Sequence, residues 1–325
     1  MRPLFKTLAT VLVTLITVGA ATAQTEPYPS RPLKLVVPFP AGSALDATAR
    51  DIGLRVGEAL GQPIVVENRV GANGIIGADA VAKSRPDGYT LLLTTPSTHV
   101  TSRFLMKSVP FDPTRDFTPI MAAVEPVTVL VAASSLPVSN VRELIDLAKR
   151  QPGKLAFGSS GSGSVFHLAG ELFGSLAGLD LVHVPYKGTA PAVQALVGGQ
   201  VPLALTALGD VLPFVRSGQV KLLAVLEGKR YGRLPEVPSI VETLPAFEKP
   251  ATWFGIFAPA GLPQPVLRRL HGEMARALGS ADLRSRLEDR GLSVVANTPE
   301  QFEASMRAST SQYERLIRAA GLQPE

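Results

Sequence analysis

Apolar positions along the chain follow two alternating patterns. Three short apolar runs read as strands: LKLVVPF (33–39), rich in β-branched residues and buried, then PIVVEN (63–68) and YTLLLTT (89–95). Between them the period changes. Ala49, Ile52, Val56 and Leu60 recur at helical spacing. A second helix is predicted from about residue 74 until Pro86-Asp87-Gly88 stops it. The order βαβαβ predicts a parallel sheet with right-handed crossovers.

The alternation pauses at RDFTPIMAAVEPVTVLVAAS (115–134), two apolar runs split by Glu125-Pro126, where the chain is expected to leave one domain for another. A second alternating unit begins with the helix VRELIDLAKR, which Ser139 or Asn140 can cap. Strand 154–158, helix 164–177, strand DLVHVPY, helix APAVQALVGG, strand VPLALTAL, a short helical stretch near 212–217 and strand VKLLAVLE follow. The run ATWFGIFAP (251–259) predicts one more strand, and the remaining tail predicts helices. Leu267, Leu270, Met274 and Leu278 share one helical face, and Phe302, Met306, Tyr313 and Ile317 another. The tail holds too few strands for a third domain and is expected to pack back on the first sheet. The fold class is therefore α/β. Two lobes are expected, 24–125 with 250–325 and 126–249, joined by two crossings that form a hinge and an interdomain cleft.

Residues 1–23 change the picture of where the chain works. Arg2 and Lys6 precede an apolar run from Leu8 to about Ala20, and Ala21-Thr22-Ala23 follows, the pattern of a secretory signal cut after Ala23. The run is short for a membrane span. The absence of cysteine excludes disulfides, thiolate metal sites, a cysteine nucleophile and a lipid-modified cysteine. The formal charge of +5 is spread without a basic run, so no nucleic-acid partner is expected.

Two strand-to-helix turns carry the candidate chemistry. Residues 158–164 are all glycine or serine, and Ala41-Gly42-Ser43 forms a similar bend after the first strand. Ligands of open α/β sheets sit beyond the carboxyl ends of the strands, where helix N-termini offer unpaired N–H groups. Glycine lets a ligand approach the backbone, and serine adds a hydroxyl. The two turns read as anion cradles, one in each lobe. Asp46 lies in the first helical turn and is expected to shape its loop rather than meet an anion. TTPSTH (94–99), with Ser97 and His99, and PYKGTAP (185–191), with Lys187 as a solvated charge, mark two further strand ends. There is no G-x-S-x-G, no G-x-x-x-x-G-K-[ST], no G-x-G-x-x-G and no H-E-x-x-H, so neither a cofactor nor a metal is expected.

The segments YPSRPLKLVVPFPAGSALDATAR, VVENRVGANGIIGADAVAKSRPDGYTLLL, FGSSGSGSVFHLAGELF, HVPYKGTAPAVQALVGGQV and WFGIFAPAGLP together resemble the extracytoplasmic receptors of tripartite tricarboxylate transporters, the Bug family. The resemblance covers about residues 28–324. It implies a two-lobe type II periplasmic-binding-protein fold that closes on a small carboxylate, works as a monomer and meets membrane permease subunits. By position it implies ligand contacts from Phe39, Ala41, Gly42, Ser43 and Asp46 in the first lobe; Ser97 and His99 at the TTPSTH strand end, and Thr206, are further candidate contacts from the chain's own pattern. In the second lobe the resemblance implies Ser159, Ser160, Gly161, Ser162, Gly163, Ser164, Gly188 and Thr189. Many relatives place an acid and then Asn after GGQV and its strand. This chain has Thr206 and Ala207 there, so a partner for an amino acid's ammonium group is missing. A di- or tricarboxylate, or an aromatic carboxylate, is expected to bind better than the matching amino acid. Two other readings stay open: a sensor for a signalling system, and a secreted hydrolase using Ser160 or His99.

The exported protein is expected to begin at Gln24 without a lipid adduct. Intact-mass spectrometry of the exported chain checks this, and a retained Met1 would refute it.

Overall fold

The computed structural model describes residues 28–324; the expected export segment and its cleavage site lie outside the described residues. The chain opens with β1 (Leu33–Val37), α1 (Ala44–Leu60), β2 (Ile64–Asn68), α2 (Ile75–Ala82) and β3 (Thr90–Thr94). A π-helical turn, Ser97–Thr101, and the short helix α3 (Ser102–Leu105) lead to β4 (Phe117–Pro126). Next come β5 (Thr128–Ala133), α4 (Val141–Arg150), β6 (Ala156–Ser159), α5 (Val165–Ala177), β7 (Val182–Pro185), α6 (Thr189–Val197), β8 (Leu203–Ala207), α7 (Leu208–Arg216) and β9 (Val220–Val225). The last elements are β10 (Phe254–Pro259), α8 (Gln264–Gly279), α9 (Ala281–Asp289), β11 (Leu292–Val294) and α10 (Pro299–Ala319).

These strands form two mixed sheets, ordered β11-β4-β10-β3-β1-β2 and β7-β6-β8-β5-β9. The parallel core expected at the start of the chain is present: β1 lies between β2 and β3, parallel to both. β10 then runs antiparallel between β3 and β4. In the first lobe, α1, α8 and α9 pack one face of the sheet, while α2 and α10 pack the other. Leu91, Leu92 and Leu93 are wholly buried because this strand is covered on both sides. Each such side chain stabilises the fold by about 1.5–3 kcal/mol, which suits a chain with no disulfides. The second sheet is layered alike, with α4 and α5 on one face and α6 and α7 on the other.

Several boundaries differ from the pattern. α2 stops at Ala82, and β10 starts at Phe254, leaving Trp253 to stack edge-on against Phe302 at 5.2 Å. α7 starts at Leu208, directly after β8. The tail also supplies β11, a three-residue strand pairing antiparallel with β4. Three residues carry too little periodicity to be seen in the sequence.

The chain passes between the sheets at two places, and a lysine joins them. Lys249, on the return crossing, places Nζ 2.7 Å from a Glu227 carboxylate oxygen and 3.6 Å from one of Glu125. It also donates to the Thr252 hydroxyl at 3.0 Å. Glu227 in turn accepts from the Thr128 N–H at 3.0 Å. Burial raises the Glu125 carboxyl above its ordinary range; Lys249 opposes this and Glu227 adds to it.

Replacing Lys249 by Met leaves two carboxylates facing each other without a cation. We expect a loss of about 2 kcal/mol in urea unfolding, below the full cost of breaking a deeply buried pair because both acids keep some solvent. Adding Glu227→Gln to Lys249→Met should recover part of that loss.

Candidate functional site

The two cradles share one local design. In the first lobe, Gly42 takes φ +82° and Ser43 the extended conformation (φ −67°, ψ 160°) before α1 begins. The Ser43 hydroxyl accepts the Asp46 N–H at 3.2 Å, and an Asp46 carboxylate oxygen accepts the Gly42 N–H at 2.9 Å. In the second lobe, Gly163 takes φ +70° and Ser164 φ −68°, ψ 158° before α5. The Ser164 hydroxyl accepts the His167 N–H at 3.2 Å, and His167 Nδ1 accepts the Gly163 N–H at 3.0 Å. Both are Gly-Ser turns in which serine caps the helix and the side chain four residues after the glycine catches the glycine's N–H. The positive φ values favour glycine at both bends. The first residues of each helix, Ala44 and Leu45 in one and Val165 and Phe166 in the other, hold N–H groups with no intrahelical acceptor.

Asp46 does shape its loop. Its carboxylate is buried and receives a two-pronged contact from Arg50, Nε at 3.0 Å and a terminal nitrogen at 2.9 Å. Asn68 donates to the same carboxylate and to the Phe39 carbonyl, each at 3.0 Å. Burial alone would raise the Asp46 carboxyl, but Arg50, the Gly42 N–H and Asn68 together hold it below its ordinary range. The charge is spent inside the loop. Phe39 is half-buried, and Ala41 and Gly42 are exposed at the bend.

The second-lobe loops lie side by side. The Gly188 N–H donates to the Ser160 carbonyl at 3.2 Å, and the Tyr186 N–H to the Ser159 carbonyl at 3.0 Å. Ser160, Gly161 and Ser164 are half-buried and Ser162 is exposed, whereas Ser159 and Gly163 are buried. Gly188 caps α6, and Thr189 is that helix's first residue. A Cβ on Gly163 would land on a methyl of Leu105, so α3 of the first lobe lies against the second-lobe cradle. Thr206 in β8 is wholly buried and its hydroxyl has no partner among the described residues, as is true of Thr94 at the end of β3. Buried hydroxyls of this kind ordinarily meet water or a ligand.

Ser97 sits half-buried in the π-helical turn, whereas His99 in the same turn joins the core of the first lobe. Its ring stacks on Phe257 at 4.1 Å and meets Phe117 edge-on at 4.6 Å; burial pushes its pKa down to about 3. The ring is only 3% exposed, so it has no open path to a ligand or to Ser160. A different serine–histidine pair is present, with Ser159 Oγ 2.7 Å from His183 Nε2. Ser159 is fully buried, however, and its hydroxyl also meets both the N–H and the carbonyl of Gly161 at 3.2 Å. A nucleophile needs an open approach to its oxygen, and here the oxygen braces the turn.

The sequence reading missed Arg50, Asn68, His167 and His183. His167 was within reach, because the repeat G-S-x-x-[D/H] occurs at Gly42 and again at Gly163. Asn68 and His183 come from neighbouring strands, and only the fold brings them under the turns.

Asp46→Ala leaves Arg50, Asn68 and the Gly42 N–H without their acceptor. We expect a loss of about 1–3 kcal/mol in urea unfolding at neutral pH. Because the folded pKa is depressed, this contribution is present above the unfolded carboxylate pKa, about 3.9, and fades as pH falls through the folded value. The gap between wild type and variant should therefore close in acid.

Comparison with known proteins agrees with this geometry. The model of the tripartite tricarboxylate transporter family receptor matches residues 48–322. BugT of Bordetella pertussis is 35% identical, over 97% of this chain and 97% of its own. A protein from the tcbD–tcbE intergenic region of Pseudomonas sp. (strain P51) is 37% identical, over 96% of this chain and 93% of its own. Among solved structures, an R. palustris protein with adipate superposes with a TM-score of 0.85 at 36% identity, over 92% of this chain and 100% of that one. MatC of Rhodopseudomonas palustris with bound malate gives 0.77 at 33% identity, over 89% and 100%. The periplasmic binding protein BugD gives 0.80 at 34%, over 92% and 100%. These neighbours are solute-binding proteins rather than enzymes, with the two-lobe periplasmic-binding-protein fold seen here. Two lobes with matched Gly-Ser helix starts, and relatives alike over nearly the whole length, lead to one conclusion: the chain belongs to the tripartite tricarboxylate transporter receptor family, the Bug proteins.

Proposed function

We propose that this chain is a periplasmic receptor that captures a small dicarboxylate between its lobes and delivers it to the membrane permease subunits of a tripartite tricarboxylate transporter. On this reading, cleavage after Ala23 releases it into the periplasm as a monomer. The lobes, 24–125 with 250–325 and 126–249, close about the crossings at Glu125 and Lys249. Among the described residues no helix is long and apolar enough to cross a membrane.

The observation that carries this reading is the matched pair of helix starts, one per lobe. Both offer N–H and hydroxyl donors without a free charge at the bend. A carboxylate accepts several such bonds in its plane and is favoured by the positive end of a helix. Two cradles suit a ligand with a carboxylate at each end. Ala41, Gly42 and Ser43 would line the first, with the Ala44 and Leu45 N–H groups as its donors; Ser160, Gly161, Ser162 and Ser164 would line the second, with the Val165 and Phe166 N–H groups as its donors and Gly188 and Thr189 beside it. Thr206 stands at the strand end where an acid would otherwise meet an ammonium group, which favours a dicarboxylate over the corresponding amino acid. The relatives solved with adipate and with malate make those two acids the first probes.

A thermal-shift screen of small carboxylates, followed by calorimetry, tests the reading. Saturation at about 100 times the dissociation constant adds roughly 2.7 kcal/mol to stability. We expect adipate or malate to stabilise the protein more than aspartate does. Gly42→Val combined with Gly161→Val should remove the binding, since a side chain at either bend blocks the backbone. Full affinity in that double variant, or a preference for aspartate, would overturn the assignment.

A further inference from the structure

Beneath the second-lobe cradle lies a histidine pair to which the proposed function gives no part. His167 and His183 stack with ring centroids 3.6 Å apart and planes 9° from parallel. His167 is buried at the start of α5, and His183 lies on β7. Among the described residues, His167 makes these polar and aromatic contacts. Glu171 of its own helix places a carboxylate oxygen 3.4 Å from Nε2. His183 covers a ring face, and Phe157 of β6 lies at 6.4 Å. The Gly163 N–H donates to Nδ1 at 3.0 Å.

These contacts assign one protonation state. Nδ1 accepts from an amide, so it carries no proton. Nε2 points at a carboxylate, so it carries the proton. The ring is a neutral imidazole that fills the position Asp46 fills in the other lobe: four residues after the glycine, accepting the glycine's N–H. The difference is chemical. Asp46 stays an acceptor at any pH near neutrality, whereas a histidine gains a second N–H on acidification.

We propose that His167 is a positioning residue of the second cradle: its neutral ring holds the Gly163 N–H and so sets the turn that grips the ligand, and protonation of that ring releases the turn and weakens the grip. A protonated ring turns an N–H toward the Gly163 N–H, donor against donor, with His183 stacked on the ring as a second base. Glu171 pulls the other way, since its carboxylate favours the charged ring, and this opposition makes the site a switch rather than a fixed clamp. Ser159 and His183 extend the same brace to Gly161. The inference rests on the proposed ligand site for its effect on binding, but not for the coupling of His167 to Gly163.

Two measurements separate those parts. In ligand-free protein labelled with nitrogen-15, His167 should be the Nε2–H tautomer at neutral pH, and the Gly163 amide should shift together with the ring through an acid titration. Adipate and malate affinities are then compared over the same titration for wild type, His167→Asn and His167→Gln. Asn places an amide oxygen near the Nδ1 position without a titrating proton; Gln places its oxygen too far along the side chain. Wild type should lose about tenfold in affinity relative to His167→Asn on acidification, a ratio that cancels the ligand's own titration. His167→Gln should bind about tenfold more weakly than wild type at neutral pH. An Nδ1–H tautomer, or a Gly163 amide that ignores the ring, overturns the proposal whether or not either acid binds. Equal pH slopes in wild type and His167→Asn overturn it where one does.

Discussion

A helix start can hold an anion only if its own loop leaves the N–H groups free and brings no bare charge to the bend. The helix starts of α1 and α5 both meet that requirement. The bend needs glycine with positive φ, and that glycine's N–H, turned into the loop, needs a partner of its own. Each lobe supplies the partner from one turn into the helix. In the first lobe the partner is a carboxylate, which would repel an anion if left open, and Arg50 and Asn68 absorb its charge. In the second it is an imidazole, which brings no charge while neutral. The caps and the buried second layer together leave each helix start uncharged and its turn braced.

The second layer also explains why a serine–histidine contact at 2.7 Å does not make a hydrolase site. Ser159 ends a central strand and is enclosed by the turn it supports. His183 is held near a pKa of about 4 by burial first and by His167 second, with Glu171 opposing both. Such a base is poorly matched to neutral chemistry and well matched to holding a hydroxyl in place.

Much of this was legible before any coordinates. The buried strands announced themselves as unbroken apolar runs, and the core faces of α8 and α10 as helical spacing; Leu267, Leu270, Phe302 and Tyr313 are all buried. The two Gly-Ser bends lie at strand ends because the change of period from two to nearly four marks where a strand becomes a helix. Legibility ended where information is not local. β11 is three residues long and exists because β4 offers it an edge. His99 looked like a loop residue beside a hydroxyl-rich end, yet three phenylalanines from distant segments enclose it. Asn68 and His183 reach the cradles across neighbouring strands, and no spacing along the chain encodes that.

The passage between the sheets is uneven, and this gives the molecule a mechanical character. β4 ends at Pro126 and β5 starts at Thr128, so Val127 alone separates a strand of one sheet from a strand of the other. Its N–H is tied to Gly291, beside β11 in the first lobe, and its carbonyl to Leu208, at the start of α7 in the second. The other crossing takes all the chain between β9 and β10. One link is a single residue and the other a long segment held where Lys249 meets Glu125 and Glu227. A swing of one sheet against the other would have to be absorbed at both, with the smallest room for it around Val127.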